Sequence, residues 1–514
     1  MPTVDQLPGT IRTEEILNRH PCVGLAVGVL RNGSLAAFSA SGLADIASHR
    51  PMREDTVVRV ASITKTFTAI AVLQLVEQGL VSLDAPANDY LRGFQLVPAR
   101  PGWRPATLRH LLTHTGGIGE EVRRRSALAR DFGETVPAGR PVPSPAQYYR
   151  RGIRLVAEPG TRFRYTDHGP TTLGQLVEDV TGQPFADYLR EHVFLPLGMG
   201  DTDLDPAAVD RSRMATGYRF GVRGVRPVRE RSWVTAGASN AWSTPQDMAR
   251  YLAALLGGGA NEHGAVLRPA TVAEMFAPQY QPDPRIPGMG LGFWRTDVGG
   301  HPVVEHQGLV PGFDSQILVA PEDGVAIMAF TNGTSQGGFW LPSEAAGLLR
   351  SELGVPDPGI RTDVPHHPEV WADLCGWYLL PGPVTDLRIR EFMGAGLEVF
   401  VRRGRLFVRC LTPVPTLYRG FALHPDDPDD PYAFRMDLFE SRPATTRMAT
   451  MRLVFSQEPR AGTTGVHLDL MPVSARKQPA ATNPRRWVTG GLAAATAVVT
   501  LRRLTRGRAA AVPR

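Results

Sequence analysis

Ser62-Ile-Thr-Lys65 is the stretch of this chain best suited to covalent chemistry. A serine hydroxyl is a weak nucleophile at neutral pH and needs a base beside it. A lysine three residues on lies one helical turn along the same face, so its amine can reach that hydroxyl. The amine works as a base only when burial or a cationic neighbour lowers its pKa. Composition singles out the same residue: of 56 basic residues only Lys65 and Lys477 are lysines. The others are arginines, which stay protonated and cannot take a proton. Ser62 also stands where a strand-like run, 56–60, meets an apolar helical stretch. A helix N-terminus offers unpaired N–H groups and the positive end of the dipole, and both favour a developing oxyanion.

Two further segments carry groups able to assist. Tyr165 lies in Gly160-Thr-Arg-Phe-Arg-Tyr165-Thr-Asp167, ahead of a helix-like stretch at 171–181. A loop tyrosine can exchange a proton when nearby cations lower its pKa, and taken alone it reads equally as a buried structural ring. His306 lies in Val303-Val-Glu-His306-Gln-Gly308, followed by Pro311-Gly-Phe313. A histidine at a strand edge can face a substrate while the adjoining backbone supplies an N–H. His110 and His114 have the i, i+4 spacing of metal ligands. No Glu follows His110, however, and Gly116-Gly117 end the helix at once. No metal and no organic cofactor is expected.

The elements that must position these groups are visible in the hydrophobic pattern. The apolar runs 23–30 and 35–41 flank Arg31-Asn32-Gly33, a hairpin signal. A helix is predicted over 64–78, with Phe67, Ile70, Ala71, Leu73 and Val76 at helical spacing and Gly79 as its stop. Helices and loops dominate 83–256, where Thr244-Pro-Gln-Asp247 reads as a capping box with Pro245 at the first helical position. The runs 313–320 and 325–330 around Pro321-Glu-Asp-Gly324 predict a second hairpin, and 341–353 a closing helix. Strands and a helix at both ends, with helices between, predict an α+β domain: an antiparallel sheet flanked by helices, with a helical subdomain. This hydrolase-like domain is assigned to 10–353, a Pro-, Asp- and His-rich linker to 354–372, and a β-rich barrel or sandwich to 373–475. The short runs 397–401, 406–410 and 451–455 mark strands of that last domain.

Residues 476–514 form a basic tail of nine basic and no acidic residues, so the net charge of +6 belongs to the tail and the body is slightly acidic. A nucleic-acid function for the body is not supported. Within the tail, the apolar segment 487–501 is short of a membrane span. Its flanking arginines, within 485–508, suit at most a weak membrane association. Cys22, Cys375 and Cys410 give neither a disulfide framework nor a metal spacing. The first residues lack a basic n-region and an apolar h-region, so a cytoplasmic location is the simplest expectation.

Taken in order, Ser62-x-x-Lys65, Tyr165-x-Asp167 and His306-x-Gly308 resemble the motifs of the serine β-lactamase and penicillin-binding-protein superfamily. The likeness is nearest to its class C β-lactamase-like esterases and D-aminopeptidases. It covers about residues 10 to 353 and extends to His110-Leu-Leu-Thr-His-Thr-Gly-Gly117, Glu158-Pro-Gly160, Leu195-Pro-Leu-Gly-Met199 and Ser243-Thr-Pro-Gln-Asp247. The resemblance implies a β-lactamase/transpeptidase-like fold with Ser62 as nucleophile and Lys65 and Tyr165 sharing the acid–base work. It implies His306 in place of the lysine of the family's Lys-Thr-Gly motif, and an oxyanion hole made by the N–H of Ser62 and one after Gly308, at Leu309. The β-rich region is similar to the lipocalin-like appendages of some members. Asp167 replaces the family's usual Asn; it cannot donate an amide hydrogen bond to a substrate carbonyl, and its charge favours a protonated Lys65. The expected function is acyl transfer from a small ester or amide, esterase-like before β-lactamase or D-aminopeptidase/carboxypeptidase. The rival is a catalytically weak member that binds a ligand or partner.

Overall fold

The computed structural model describes residues 11–119, 134–221, 224–334, 340–357, 359–380, 394–412, 414–439, 447–458 and 463–485. The apolar tail segment 487–501 lies outside them. Helix α1 (Thr13–Arg19) precedes strands β1 (Gly24–Arg31), β2 (Ser34–Asp45), β3 (Arg50–Pro51) and β4 (Val58–Arg59). Helices α2 (Thr64–Glu77) and α3 (His168–Thr181) follow, then β5 (Trp242–Ser243) and α4 (Pro245–Leu256). The chain returns to strands in β6 (Trp294–Val298), β7 (His301–Val310), β8 (Phe313–Ala320) and β9 (Val325–Thr331), and closes with α5 (Trp340–Leu353).

One seven-stranded sheet runs β6-β7-β8-β9-β1-β2-β3, antiparallel throughout. The termini thus complete it, as the pattern of strands at both ends predicts. Successive side chains of a strand point to opposite faces. On β1, Leu25, Val27 and Val29 pack with residues of α1 and α5, whereas Ala26 and Leu30 join the large core that holds α2 and α4. The central strands are therefore buried on both faces, which explains their near-continuous apolar runs. At the first hairpin Asn32 and Gly33 both take positive φ, the conformation that makes Asn-Gly a tight turn.

Helix α2 is the centre of the domain, buried from Thr64 through Leu75. It ends where the sequence indicates: Gly79 is left-handed, its N–H bonds Val76 O at 3.0 Å, and Leu80 N–H bonds Leu75 O at 2.9 Å. Helix α4 departs from its expected capping box. Thr244 accepts from Asp247 N–H, but the Asp247 carboxylate turns to Asp201 N–H (2.8 Å), Thr202 Oγ1 (2.9 Å) and Arg250 (2.8 Å). The half-box serves tertiary contacts instead.

The C-terminal region has its own core. Its strands are β10 (Gly376–Leu379), β11 (Leu397–Arg402), β12 (Arg405–Cys410), β13 (Phe421–Ala422), β14 (His424–Asp427), β15 (Asp430–Phe439), β16 (Arg447–Glu458), β17 (Thr463–Leu468) and β18 (Ser474–Gln478). They form one sheet in the order β13-β12-β11-β10-β18-β17-β16-β15-β14. Its two edge strands are joined by Leu423 alone, so the sheet curls into a nearly closed barrel around Tyr378, Leu406, Leu453 and Phe455. Strand β18 carries the barrel past 475. Arg476 and Lys477 are ladder residues, and Arg485 still reaches Glu398 at 3.3 Å. The barrel meets the first domain at α5, which lies against β16, and at one loop: Arg285 pairs with Asp430 at 2.9 Å and donates to Phe455 O at 2.8 Å, while Ile286 packs on Ala433 and Val454. That loop leads directly into β6.

Candidate active site

Ser62 stands on a single 3-10 turn, Ala61–Ile63, between β4 and α2. Ala61 takes φ +48°, a strained conformation for a residue with a side chain, and it turns the chain sharply so that Ser62 faces the cleft. Thr64 Oγ1 donates to Ala61 O at 2.6 Å and holds the kink. One turn on, Lys65 is buried (2% exposed). Its Nζ lies 2.9 Å from Ser62 Oγ, 3.1 Å from Ala238 O and 2.7 Å from Asp167 Oδ1. These acceptors, with the Tyr165 hydroxyl as a further partner, surround an ammonium. Burial, the largest single influence, lowers the pKa of Lys65, but Asp167 and Tyr165 together outweigh it through charge and hydrogen bonds, and the net shift is upward.

Asp167 is the residue before the first turn of α3, where its carboxylate gains from the helix dipole. It makes no cap; beyond Lys65 it accepts from Ser239 Oγ at 3.3 Å. Tyr165 interacts by hydrogen bonds with both Lys65 and Ser62, and burial nevertheless holds its hydroxyl above the ordinary pKa, so it is a neutral phenol. Its ring is clamped between His114 (centroids 4.5 Å apart) and Trp294 (5.7 Å, nearly parallel). Lys65 Nζ sits 4.9 Å from the same ring's centroid.

Strand β7 closes the cleft. Its pairing with β6 stops at Glu305 opposite Trp294, so 306–310 present an edge that β6 leaves uncovered. At Gly308 a Cβ would run into the Val60 carbonyl and the Ser315 hydroxyl. Only glycine lets this edge lie against the segment that carries Ser62. Gly308→Ala is accordingly expected to cost about 1–3 kcal/mol of stability and to reduce turnover; thermal melting and an ester assay check both. Leu309, one residue on, is 55% exposed. His306 is 1% exposed, and its Nδ1 lies 2.7 Å from Gln307 O. A carbonyl can only accept, so Nδ1 bears the proton, and buried Nε2 is left unprotonated and without a hydrogen-bond partner among the described residues. Burial, reinforced by Lys65, pushes its pKa down to about 3. Where the resemblance implies a lysine, this site holds a neutral ring.

The structure thus gathers Ser62, Tyr165 and Asp167 around Lys65, with His306, Gly308 and Leu309 along the facing edge. Three contributors carry no motif of their own: Ala238, Ser239 and Trp294. The run of small residues 236–241 was the available signal for the first two, since Gly237 packs so close that a Cβ would sit 2.7 Å from Pro170 O. The two histidines spaced like metal ligands do other work. His110 completes the cap of its own helix by accepting from Thr107 N–H, and His114 backs Tyr165. No cluster of three metal-ligating side chains occurs among the described residues.

A seven-stranded antiparallel sheet between helical layers, with a Ser-x-x-Lys turn opening the buried central helix, defines a β-lactamase/transpeptidase-like fold. The chain belongs to the Beta-lactamase family, which it matches over residues 11–345. It is 34% identical over 233 residues to "Esterase EstB" of Burkholderia gladioli, a match that spans 43% of this chain and 56% of the esterase. It is 28% identical over 366 residues to "Penicillin-binding protein 4" of Amycolatopsis lactamdurans, covering 67% of this chain and 91% of that one. The octameric penicillin-binding protein homologue from Pyrococcus abyssi superposes with a TM-score of 0.59 at 21% identity, over 90% of this chain and 98% of that one. The last match includes the barrel, so the two-part architecture is shared.

Proposed function

We propose that this protein is a serine hydrolase that forms an acyl-enzyme on Ser62 from a small ester or amide, with esters the better substrates. The observation that carries the reading is the contact of Ser62 Oγ with Lys65 Nζ at 2.9 Å, on a strained turn facing the uncovered edge of β7. Once the Lys65/Tyr165 pair, which titrates as a unit, has lost one proton to solvent, Ser62 Oγ attacks the carbonyl carbon and its proton passes to that pair. The N–H groups of Ser62 and Leu309 receive the oxyanion. The pair then protonates the leaving alkoxide or amine, and water repeats the sequence on the acyl-enzyme.

Two features favour esters. An alkoxide leaves more readily than an amine, which suits a site whose lysine rests as an ammonium bound to Asp167. A neutral His306 also offers no charge to a substrate carboxylate on its side of the cleft, which weighs against peptidase and β-lactamase activity. The same locked ammonium favours the second reading, a weakly catalytic ligand-binding member. A fluorophosphonate probe decides between them: the wild-type protein takes up one label and Ser62→Ala none. An unlabelled wild-type protein that also leaves p-nitrophenyl acetate intact would overturn the enzyme reading. No helix among the described residues is long and apolar enough to cross a membrane.

A further inference from the structure

A cavity of 430 Å³ opens beside the oxyanion corner, lined by Arg59, Trp233, Trp242, Val310 and Phe313 among others. Its position follows from the chain: Arg59 is three residues before Ser62, Val310 directly follows Leu309, and Trp233 and Trp242 bracket the 238–239 segment that holds Lys65 and Asp167. Its charge is lopsided. Among the described residues that line it are four arginines (Arg59, Arg211, Arg229 and Arg231, the last bound to Thr135) and one carboxylate, Glu230, which lies 3.9 Å from Arg211.

Arg59 is the unusual member. It is 7% exposed, its guanidinium lies 4.3 Å from the centre of the Trp242 ring, and its one side-chain hydrogen bond among the described residues runs from Nη2 to Arg231 O at 2.8 Å. No carboxylate stands within ion-pair distance of it among the described residues. A guanidinium carries five N–H donors in a fork matched to a carboxylate, and a buried cation is costly unless paired. Burial accordingly pulls its pKa down to about 10, the distant Glu230 opposing only in part. The remaining N–H groups and the aromatic walls call for a ligand with a flat or apolar body and an anionic end.

We propose that this cavity receives the far end of the acyl group and that Arg59 binds a carboxylate there, so that the preferred substrates are esters or amides of acids bearing a second, anionic group. The proposal rests on the serine hydrolase reading for its catalytic sense. It moves recognition of charge from position 306, where the ring is neutral, to the acyl side of the cleft. Its chemistry is separate from that of the nucleophile, so it can be tested without turnover.

The test uses full-length Ser62→Ala protein, calorimetric titration, and two probes of matched length: mono-4-nitrophenyl glutarate and neutral 4-nitrophenyl valerate. The glutarate is expected to bind at least about 10-fold more tightly, the effect of one charge-assisted hydrogen-bonded contact. Adding Arg59→Met should erase the difference. Adding Arg229→Glu, at an exposed position on the rim, should reduce it several-fold and decides the matter should Arg59→Met fail to fold. Equal binding of the two probes, or a preference that survives both substitutions, overturns the proposal. Failure of the hydrolase reading shows separately, as wild-type protein that binds the glutarate and cleaves neither ester.

Discussion

Lys65→Met is expected to lower kcat/KM for an activated ester by at least about 10³-fold, because the nucleophile and its proton acceptor act as a unit. The same substitution strikes the fold. Asp167, with 17% of its side chain exposed, would keep its charge and lose the ammonium 2.7 Å away. Removing one partner of a buried pair leaves an uncompensated charge and costs about 3–5 kcal/mol; partial exposure and the Ser239 hydrogen bond place this site near the lower end. A lost activity could thus be blamed on a lost structure, and a second substitution separates the two. In Lys65→Met/Asp167→Asn the orphaned charge is gone, so thermal melting should recover much of the loss while the ester assay recovers none of it. A double variant that regains activity would remove Lys65 from the proton path. One that stays as unstable as the single variant would show that the pair contributes little through charge.

The groups that meet in the cleft were legible in the sequence to the extent that each had a local signature. Ser62-x-x-Lys65 was legible because a lysine is scarce in this chain and a helix period can be counted. The ends of α2 and the Asn32-Gly33 turn were legible because glycine and asparagine report backbone conformation directly. Ala238 and Ser239 were not, since a backbone carbonyl and a common hydroxyl acquire their roles only when α3 brings Asp167 within reach. Trp294 was hidden for the same reason: its partner Tyr165 is more than a hundred residues away. The state of His306 was also beyond sequence, because it depends on which acceptor Nδ1 finds and on how deeply the ring is buried. Arg59 is the sharpest instance. In a chain where nearly every basic residue is an arginine, what marks this one out is its burial with no carboxylate in ion-pair distance among the described residues.

Asp167→Asn is the substitution on which the account of the proton path depends. Opposed influences act on Lys65: burial, the largest, lowers its pKa, while the Asp167 carboxylate together with Tyr165 raises it, and the net shift is upward. A raised pKa means that the lysine's contribution to stability is complete below its unfolded value near 10.4 and is lost only as the pH climbs through the still higher folded value. The ion pair therefore persists at neutral pH, at the expense of the free amine. Without the charge, burial is opposed only by Tyr165, so the pKa falls and the neutral amine becomes populated at lower pH. The rising limb of the pH profile of kcat/KM should move toward acid. Turnover of an amide or a chromogenic cephalosporin at pH 7 should increase about 10-fold, a modest part of what a well-matched general base supplies. The new amide can also donate to a substrate carbonyl, which a carboxylate cannot. The two contributions are separable, since hydrogen bonding to substrate acts mainly on KM whereas the shift in the limb appears with esters and amides alike. A profile that stays in place, with a rate unchanged or lower, would mean that Asp167 orients the ammonium rather than restraining it, and that Tyr165 carries the proton.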